Sequence, residues 1–219
     1  MIRRGFIALS LSALLVLAGG AMTPATALAN DHGERSGAFI KDLAGDALAS
    51  LTAKDISRKA RIERFRGLFR QHFAVTAIGR WVLGRHWRKA SDTERAEYLK
   101  LFEELIVATY VERFSSYAGE KLAVRKTVEQ GAQTAIVYSE IVQPAGELAP
   151  ESAIGINWRV DDGGKIGFKI TDVIVEGTSM SQTMRSDFAS TIRAKGNGIA
   201  GLLDVLREKT ISLQAETTN

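Results

Sequence analysis

The spacing of apolar residues changes twice along this 219-residue chain, and those changes constrain its fold more than any other feature. From Ser36 to about Tyr117, apolar residues recur every three or four positions, which is typical of one face of a helix. From Leu122 to Glu176 the period is two, as in half-buried strands, and after Ser179 the helical spacing returns. Strands and helices do not alternate, so a doubly wound fold or an α/β barrel is disfavoured. We predict an α+β domain with an antiparallel sheet of about four strands.

Capping signals place the starts of three helices. Ser91 and Glu94 have the spacing of a capping box, which predicts that the longest helix runs over about 93–117. Asp55 is a candidate cap for the helix before it. Ser179 stands before the first helix that follows the strands, where its hydroxyl can accept a hydrogen bond from the helix backbone.

The last strand and the C-terminal segment are predicted from turn residues. The sequence Asp-Asp-Gly-Gly at 161–164 predicts a hairpin into a fourth strand over 166–176. Two helices follow, over 179–193 and 199–209, separated by a Gly-Asn-Gly break. The polar residues 210–219 are expected to form a frayed tail.

Composition excludes several kinds of chemistry. The chain has no Cys, so it offers no disulfide, no thiolate metal ligand and no cysteine nucleophile. Its three histidines, His32, His72 and His86, are far apart in sequence, which disfavours a histidine-rich metal site. With 29 basic and 25 acidic side chains, the charge is too balanced to indicate nucleic-acid binding.

Residues 1–29 have the features of a secretory signal peptide. Two arginines precede an apolar stretch over 5–20, and the small residues Ala27 and Ala29 match a cleavage site. The apolar core of this stretch is shorter than the roughly 20 residues that a membrane helix needs. We expect cleavage after Ala29, which leaves a single domain over 30–219. A secreted chain without Cys indicates a bacterial periplasm.

The sequence contains more apolar surface than a simple two-layer fold requires. The predicted long helix has apolar residues on two sides, and the second and third strands have large residues on both faces. A sheet between helices and water needs only one apolar face. Either both faces are covered, or part of this surface lines a cavity.

Candidate catalytic residues are few. The sequence GTSMS at 177–181 resembles a nucleophile elbow but ends in serine instead of glycine, so Ser179 is better explained as a helix cap. A buried acid–base pair could be built only from Glu140 or Asp172 with His72. Three interpretations stay open at this point: a binding protein with a cavity, a small-molecule enzyme, and an adaptor whose apolar excess serves only protein contacts.

Two stretches of the chain resemble the signatures of the MlaC family. The first is IGRWVLGRHWRKAS at 78–91, and the second is DVIVEGTSM at 172–180. Further matches follow in the family's order: Glu94, Arg95, Phe102, Tyr110, Tyr117, Ala118, Gly119, Arg185, Asp187, Phe188 and Gly196. Together the matches span about residues 36 to 209, nearly all of the expected mature chain.

This resemblance implies a periplasmic lipid carrier and no enzyme. The family fold is a curved antiparallel sheet packed on helices, which enclose an apolar cavity for acyl chains. The implied cargo is a phospholipid, with a hopanoid as the alternative, and no metal or other cofactor is implied. The implied partners are an inner-membrane ABC transporter with an MCE-domain ring and an outer-membrane lipoprotein–porin complex. Such systems maintain outer-membrane lipid asymmetry, and some members are associated with toluene tolerance.

The cavity walls are predicted from the apolar residues of the second helix, the long helix, the sheet and the helix after it. Ordinary core is the competing interpretation for each of them. The residues expected to line the cavity are Phe69, Phe73, Val82, Leu83, Trp87, Leu105, Ile106, Thr109, Tyr110, Phe114, Tyr138, Ile156, Trp158, Val173, Val175, Met180 and Met184. Three arginines, Arg80, Arg85 and Arg88, are expected to contact lipid headgroups or a partner.

Overall fold

The computed structural model describes residues 26–53, 55–114, 119–142, 153–196 and 198–216. The α-helices are α1 (Thr26–Leu51), α2 (Arg58–His72), α3 (Val75–Leu83), α4 (Asp92–Tyr110), α5 (Met180–Lys195) and α6 (Gly198–Glu216). Short 3₁₀ turns follow α3 and α4, at Gly84–Arg88 and Val111–Phe114. The strands are β1 (Lys121–Glu129), β2 (Thr134–Val142), β3 (Ile154–Asp162), β4 (Phe168–Val175) and β5 (Thr178–Ser179). The predicted α+β class is therefore confirmed.

The five strands form one open antiparallel sheet in the order β1-β2-β3-β4-β5. The short β5 is absent from the sequence prediction. It pairs with the end of β4 because Glu176 and Gly177 both adopt positive φ, 48° and 78°, which closes a tight two-residue hairpin.

Helix α1 covers one face of the sheet, which we call the inner face. Ile40 and Leu43 of α1 pack there against Val137, Val160 and Ile170, and these five residues form the sheet core. The opposite face of the sheet is the outer face. Because residues that pair across strands share a face, the register assigns every strand residue to one face or the other.

A second core, the helical core, lies among α3, α4, α5 and α6. Its fully buried members include Val82, Tyr98, Phe102 and Leu202. The helices α4 and α6 pack along one another, and α5 packs against α3 and α6. The molecule therefore has two separate apolar cores, one against the sheet and one within the helices.

Tyr98 joins α4 to α3 inside the helical core. Its side chain is fully buried, its hydroxyl donates a hydrogen bond of 2.9 Å to the carbonyl oxygen of Gly79, and burial raises the pKa of this phenol. We expect Tyr98→Phe to lower the free energy of unfolding by about 1 kcal/mol, because a buried hydrogen bond is lost while the ring remains. Denaturant unfolding measures this difference. Tyr138→Phe is the control. An equal loss of unfolding free energy in that variant would contradict the assignment of the loss to the hydrogen bond between Tyr98 and Gly79.

Several predicted boundaries need correction. Ser57, not Asp55, caps α2, because its side chain accepts the hydrogen bond from the Ala60 amide. Ile166 belongs to a 3₁₀ turn and is 70% exposed, so β4 begins only at Phe168. The predicted frayed tail is helical as far as Glu216, because Thr210 is buried within α6 and extends its packing.

The predictions that Ser91 and Ser179 cap helices are confirmed. Ser91 and Glu94 form both hydrogen bonds of the capping box, and Ser179 caps α5 by accepting from the amide of Gln182. Gly84 ends α3 with φ 57°, a conformation that favours glycine.

Some sequence predictions lie outside the described residues. Residues 1–25 of the predicted signal peptide lie outside the described part. The predicted cleavage point after Ala29 lies within α1. Tyr117 and Ala118 of the family signature and the last residues, 217–219, lie outside as well. Among the described helices, none has the length together with the apolar character that crossing a bilayer requires.

Candidate functional site

The two apolar cores meet at Phe73, which packs against both. Phe73 ends α2 in an extended conformation, and it pairs with Ile170 at the edge of β4. The amide of Ala74 donates to the Ile170 carbonyl at 2.9 Å, so this break between two helices is fixed to the sheet. We call the region between the sheet core and the helical core, on either side of Phe73, the seam.

Aromatic rings from α2 and from the turn after α4 form a continuous row beside the seam. The ring centroids of Phe69 and Phe73 are 4.9 Å apart, and those of Phe65 and Phe69 are 6.5 Å apart. Phe114 extends the row, with its centroid 5.8 Å from that of Phe65. The row is apolar, and three of its four rings are only partly buried.

The inner face of β3 and β4 also keeps large apolar side chains partly exposed. Trp158 pairs with Val173, and Ile156 pairs with Val175, so all four lie on the inner face, and all four are half-buried. The indole nitrogen of Trp158 donates to the Ser139 hydroxyl at 2.9 Å, which satisfies its polar atom within the sheet. The exposed part of these four side chains is therefore apolar.

The predicted cavity residues fall into groups with different burial. Val82, Leu83 and Leu105 are buried in the helical core, Phe69 is also buried, and Thr109 is exposed. The remaining predicted residues are half-buried: Phe73, Trp87, Ile106, Tyr110, Phe114, Tyr138, Ile156, Trp158, Val173, Val175, Met180 and Met184.

Tyr138 is separated from the other sheet residues of that group. It pairs with Asn157 and Lys126, and this register places it on the outer face, opposite to Trp158. The ammonium of Lys126 lies 4.7 Å from the centre of its ring. The structure therefore does not bring Tyr138 together with Ile156, Trp158, Val173 and Val175.

The three arginines predicted to meet headgroups or a partner are all exposed. Arg80 lies on α3, with its guanidinium 5.9 Å from the centre of the Trp87 ring, and Arg85 and Arg88 lie in the 3₁₀ turn that follows. Partial burial and the charges of Arg85, Lys89 and Arg193 lower the pKa of His86 in the same turn. This surface is strongly cationic.

Several arginines on one face of α2 contact the neighbouring helices. Arg61 and Arg64 donate to backbone carbonyls at the end of α1. Arg66 and Arg70 both bind Glu103 of α4, at nitrogen-to-oxygen distances of 2.9 and 2.8 Å. The neighbouring helices therefore supply partners for these arginines, while Arg64 and Arg70 stay exposed.

Glu103 is the centre of this charged group. Its side chain is 13% exposed. Burial alone would raise its pKa, but the hydrogen bonds and charges of Arg70 and Arg66 outweigh that effect and lower it. Glu103 therefore stays ionised at neutral pH and holds both guanidinium groups in place.

A cleft of about 750 Å³ opens beside this group, between α2, α3 and α4. Apolar side chains and charged side chains both line it. Its lining consists of Arg66, Arg70, Phe73, Ala74, Val75, Thr76, Ala77, Leu99, Lys100, Glu103 and Glu104. Of the predicted cavity residues, only Phe73 belongs to this lining.

The residues considered for catalysis have other partners. Asp172 accepts hydrogen bonds from the hydroxyls of Ser179 and Ser181 and from two backbone amides. Glu140 pairs with Arg125 at 2.9 Å. His72 lies beside the Phe39 ring, and partial burial together with the charge of Lys169 lowers its pKa. The described residues contain no group of three or more His, Asp or Glu side chains that could hold a metal ion.

Sequence reasoning left several residues of the seam and the cleft outside the candidate site. Phe65 and Leu68 share the apolar stripe of α2 with Phe69, so periodicity could have included them. Arg66 and Glu103 are 37 positions apart, and no local signal connects them.

Comparison with known proteins is consistent with this architecture. A family model described as MlaC protein matches residues 41–208. Among solved structures, the chain is similar to a phospholipid-binding protein from Ralstonia solanacearum, solved in complex with a phospholipid, with a TM-score of 0.68 and 21% sequence identity. That match covers 81% of this chain and 98% of the other.

Proposed function

Because this chain belongs to the MlaC family, we propose that it is a carrier that binds a phospholipid in the seam and moves it through the periplasm. The observation that carries the proposal is the set of half-buried apolar side chains on both sides of the seam. Folding alone gives no reason to leave Trp158, Ile156 and the α2 rings partly exposed together, since burial of such surface is favourable. A related fold has been solved with a phospholipid bound, which supports the proposal.

The physical requirement for such a carrier is almost complete burial of the acyl chains. A two-chain phospholipid has about 30 methylenes, and at about 0.8 kcal/mol each their exposure to water would cost on the order of 25 kcal/mol. A cavity therefore needs a long apolar wall, whereas the headgroup can remain in water. A seam between two cores meets this requirement, because its walls can separate without either core being broken.

We assign the walls of the cavity to the half-buried residues of the predicted set. On the sheet these are Ile156, Trp158, Val173 and Val175, all on the inner face. The half-buried rings of the aromatic row and Tyr110 at the end of α4 form the facing wall, and Met180 and Met184 supply adaptable side chains. Val82, Leu83, Leu105 and Phe69 support these walls from the core, and Tyr138 is left out because it lies on the outer face.

The proposed carrier works between two membrane complexes. By family membership, these are an inner-membrane ABC transporter with an MCE-domain ring and an outer-membrane lipoprotein–porin complex, and the traffic maintains outer-membrane asymmetry. Removal of the signal peptide in the periplasm belongs to the same proposal. The exposed Arg80, Arg85 and Arg88 are suited to meet an acidic partner surface or phosphate headgroups.

Transfer from vesicles tests the binding function. The mature protein, stripped of lipid, is incubated with vesicles that contain a fluorescent phosphatidylethanolamine, and protein and vesicles are separated by size-exclusion chromatography. We expect about one labelled lipid per protein in the protein fraction. Absence of label from the protein, with the fold intact by circular dichroism, would overturn the proposal.

A further inference from the structure

The cleft between α2, α3 and α4 has the character of a site for an amphiphile. Phe73, Val75 and Leu99 form its apolar part, and all three pack against the helical core. The charged part comes from two arginines of α2 and from Lys100, Glu103 and Glu104 of α4. The cleft therefore presents apolar and charged side chains together.

The charged part is arranged to receive an anion. Three cations, Arg66, Arg70 and Lys100, and two carboxylates line the cleft, so the lining itself carries one net positive charge. Glu63 lies outside the lining, with its carboxylate 4.0 Å from Arg66. Glu103 receives one bond from Arg66 and two from Arg70, all of 2.8 to 2.9 Å, so both guanidinium groups are fixed. A guanidinium has five N–H donors, and the donors that Glu103 does not use remain available in a geometry that suits phosphate oxygens.

Phe73 connects the cleft to the seam. Within the part of the chain that the structure describes, it is the one residue that lines the cleft and also packs against both cores. Its ring closes the row formed by Phe65 and Phe69, which borders the seam. A lipid with its tails in the seam would therefore pass Phe73 and place its polar end among the charged residues of the cleft.

We propose that this cleft is the mouth of the lipid site and that Arg66 and Arg70 bind the phosphodiester of the cargo there. This inference rests on the proposed function and adds which side chains hold the phosphate of that phospholipid. It disfavours a phosphate-free cargo such as a hopanoid, because such a lipid offers no phosphate oxygens to the guanidinium donors that Glu103 does not use. It also assigns the headgroup to α2 and α4, and leaves Arg80, Arg85 and Arg88 for contact with a partner.

The test compares two lipids that differ only in the headgroup. Vesicles carry either phosphatidylethanolamine or diacylglycerol with the same fluorescent acyl chains, and loading is measured as above. In R66Q/R70Q we expect phosphatidylethanolamine loading to fall at least ten-fold, while diacylglycerol loading stays within two-fold of the unmodified protein. R66Q/R70Q/E103Q avoids an unpaired half-buried carboxylate and should behave in the same way.

Arg58→Gln is the matched control, because Arg58 is also an arginine of α2 in an ion pair, with Glu112 of the turn after α4 at 2.8 Å, but does not line the cleft. We expect it to load both lipids normally. Equal losses for both lipids in the double and triple variants, or unchanged phosphatidylethanolamine loading, would overturn the assignment. Complete displacement of the lipid by millimolar inorganic phosphate would also overturn it, because the site would then take free phosphate. If the unmodified protein loads neither lipid, the proposed function itself fails.

Discussion

Ile156→Asp is expected to lower phospholipid loading by at least about ten-fold while the fold is kept. Ile156 lies half-buried on the inner face, between Ser139 and Val175, and contributes to neither core. An ionised carboxylate at this position would have to be desolvated beside the acyl chains, and that cost amounts to several kcal/mol. A loss of 1.4 kcal/mol in binding already corresponds to a ten-fold change in affinity. The vesicle assay measures the loss directly.

Ile174→Asp is the matched control for this substitution. Ile174 is also half-buried and lies in the same sheet, but its pairing with Asn157 places it on the outer face. It should load lipid as well as the unmodified protein. Equal loss in both variants would mean that the effect comes from the sheet's stability and would remove the inner face from the site.

The largest expected effect on stability is that of Asp172→Ala, at about 3 kcal/mol of unfolding free energy. Asp172 is 9% exposed and its carboxylate accepts four hydrogen bonds, three of which, from Ser179 and Ser181, tie β4 to the start of α5. Its removal leaves buried hydroxyl and amide donors without an acceptor, and hydrogen bonds to charged groups contribute about 1.5 to 3 kcal/mol each. In a domain of this size, the melting temperature should fall by about 6 to 12 °C.

Two further variants separate this effect from general disturbance of α5. Asp172→Asn keeps part of the acceptor capacity and should lose less stability than the alanine variant. Asp187→Ala alters an exposed carboxylate on α5 and should change the free energy of unfolding by less than about 0.5 kcal/mol. If Asp172→Ala has the same free energy of unfolding as Asp187→Ala, the Asp172 carboxylate does not hold the start of α5 in place.

The order of helices and strands was predictable because each segment shows one clear period. The β-branched and apolar residues of 134–142 and the capping box at Ser91 act locally, and the structure has both the strand and the cap. Predictions failed where tertiary contacts override local signals. Ile166 is apolar and was predicted to begin a strand, but the turn before β4 extends through Gly167. Thr210 was predicted to begin a polar tail, but the packing of α6 buries its side chain.

The site was harder to predict than the fold. It depends on which face of the sheet each side chain lies on and on ion pairs between residues that are far apart in sequence. Val137 and Tyr138 are neighbours and both are large, so sequence alone does not say which one points to the helices. The register answers this, since it pairs Val137 with Trp158 and Tyr138 with Asn157. The charged group of the cleft joins α2 to α4 across 33 to 37 positions, which neither periodicity nor spacing can indicate.

Native mass spectrometry of the mature protein, purified without detergent, is the most direct test of the account. We predict that the protein carries an additional mass in the range of a diacyl phospholipid, that denaturation releases this mass, and that organic extraction recovers a lipid containing phosphorus. A protein that is free of lipid as purified, and still free of it after incubation with phospholipid vesicles, would contradict the claim that the seam holds a phospholipid.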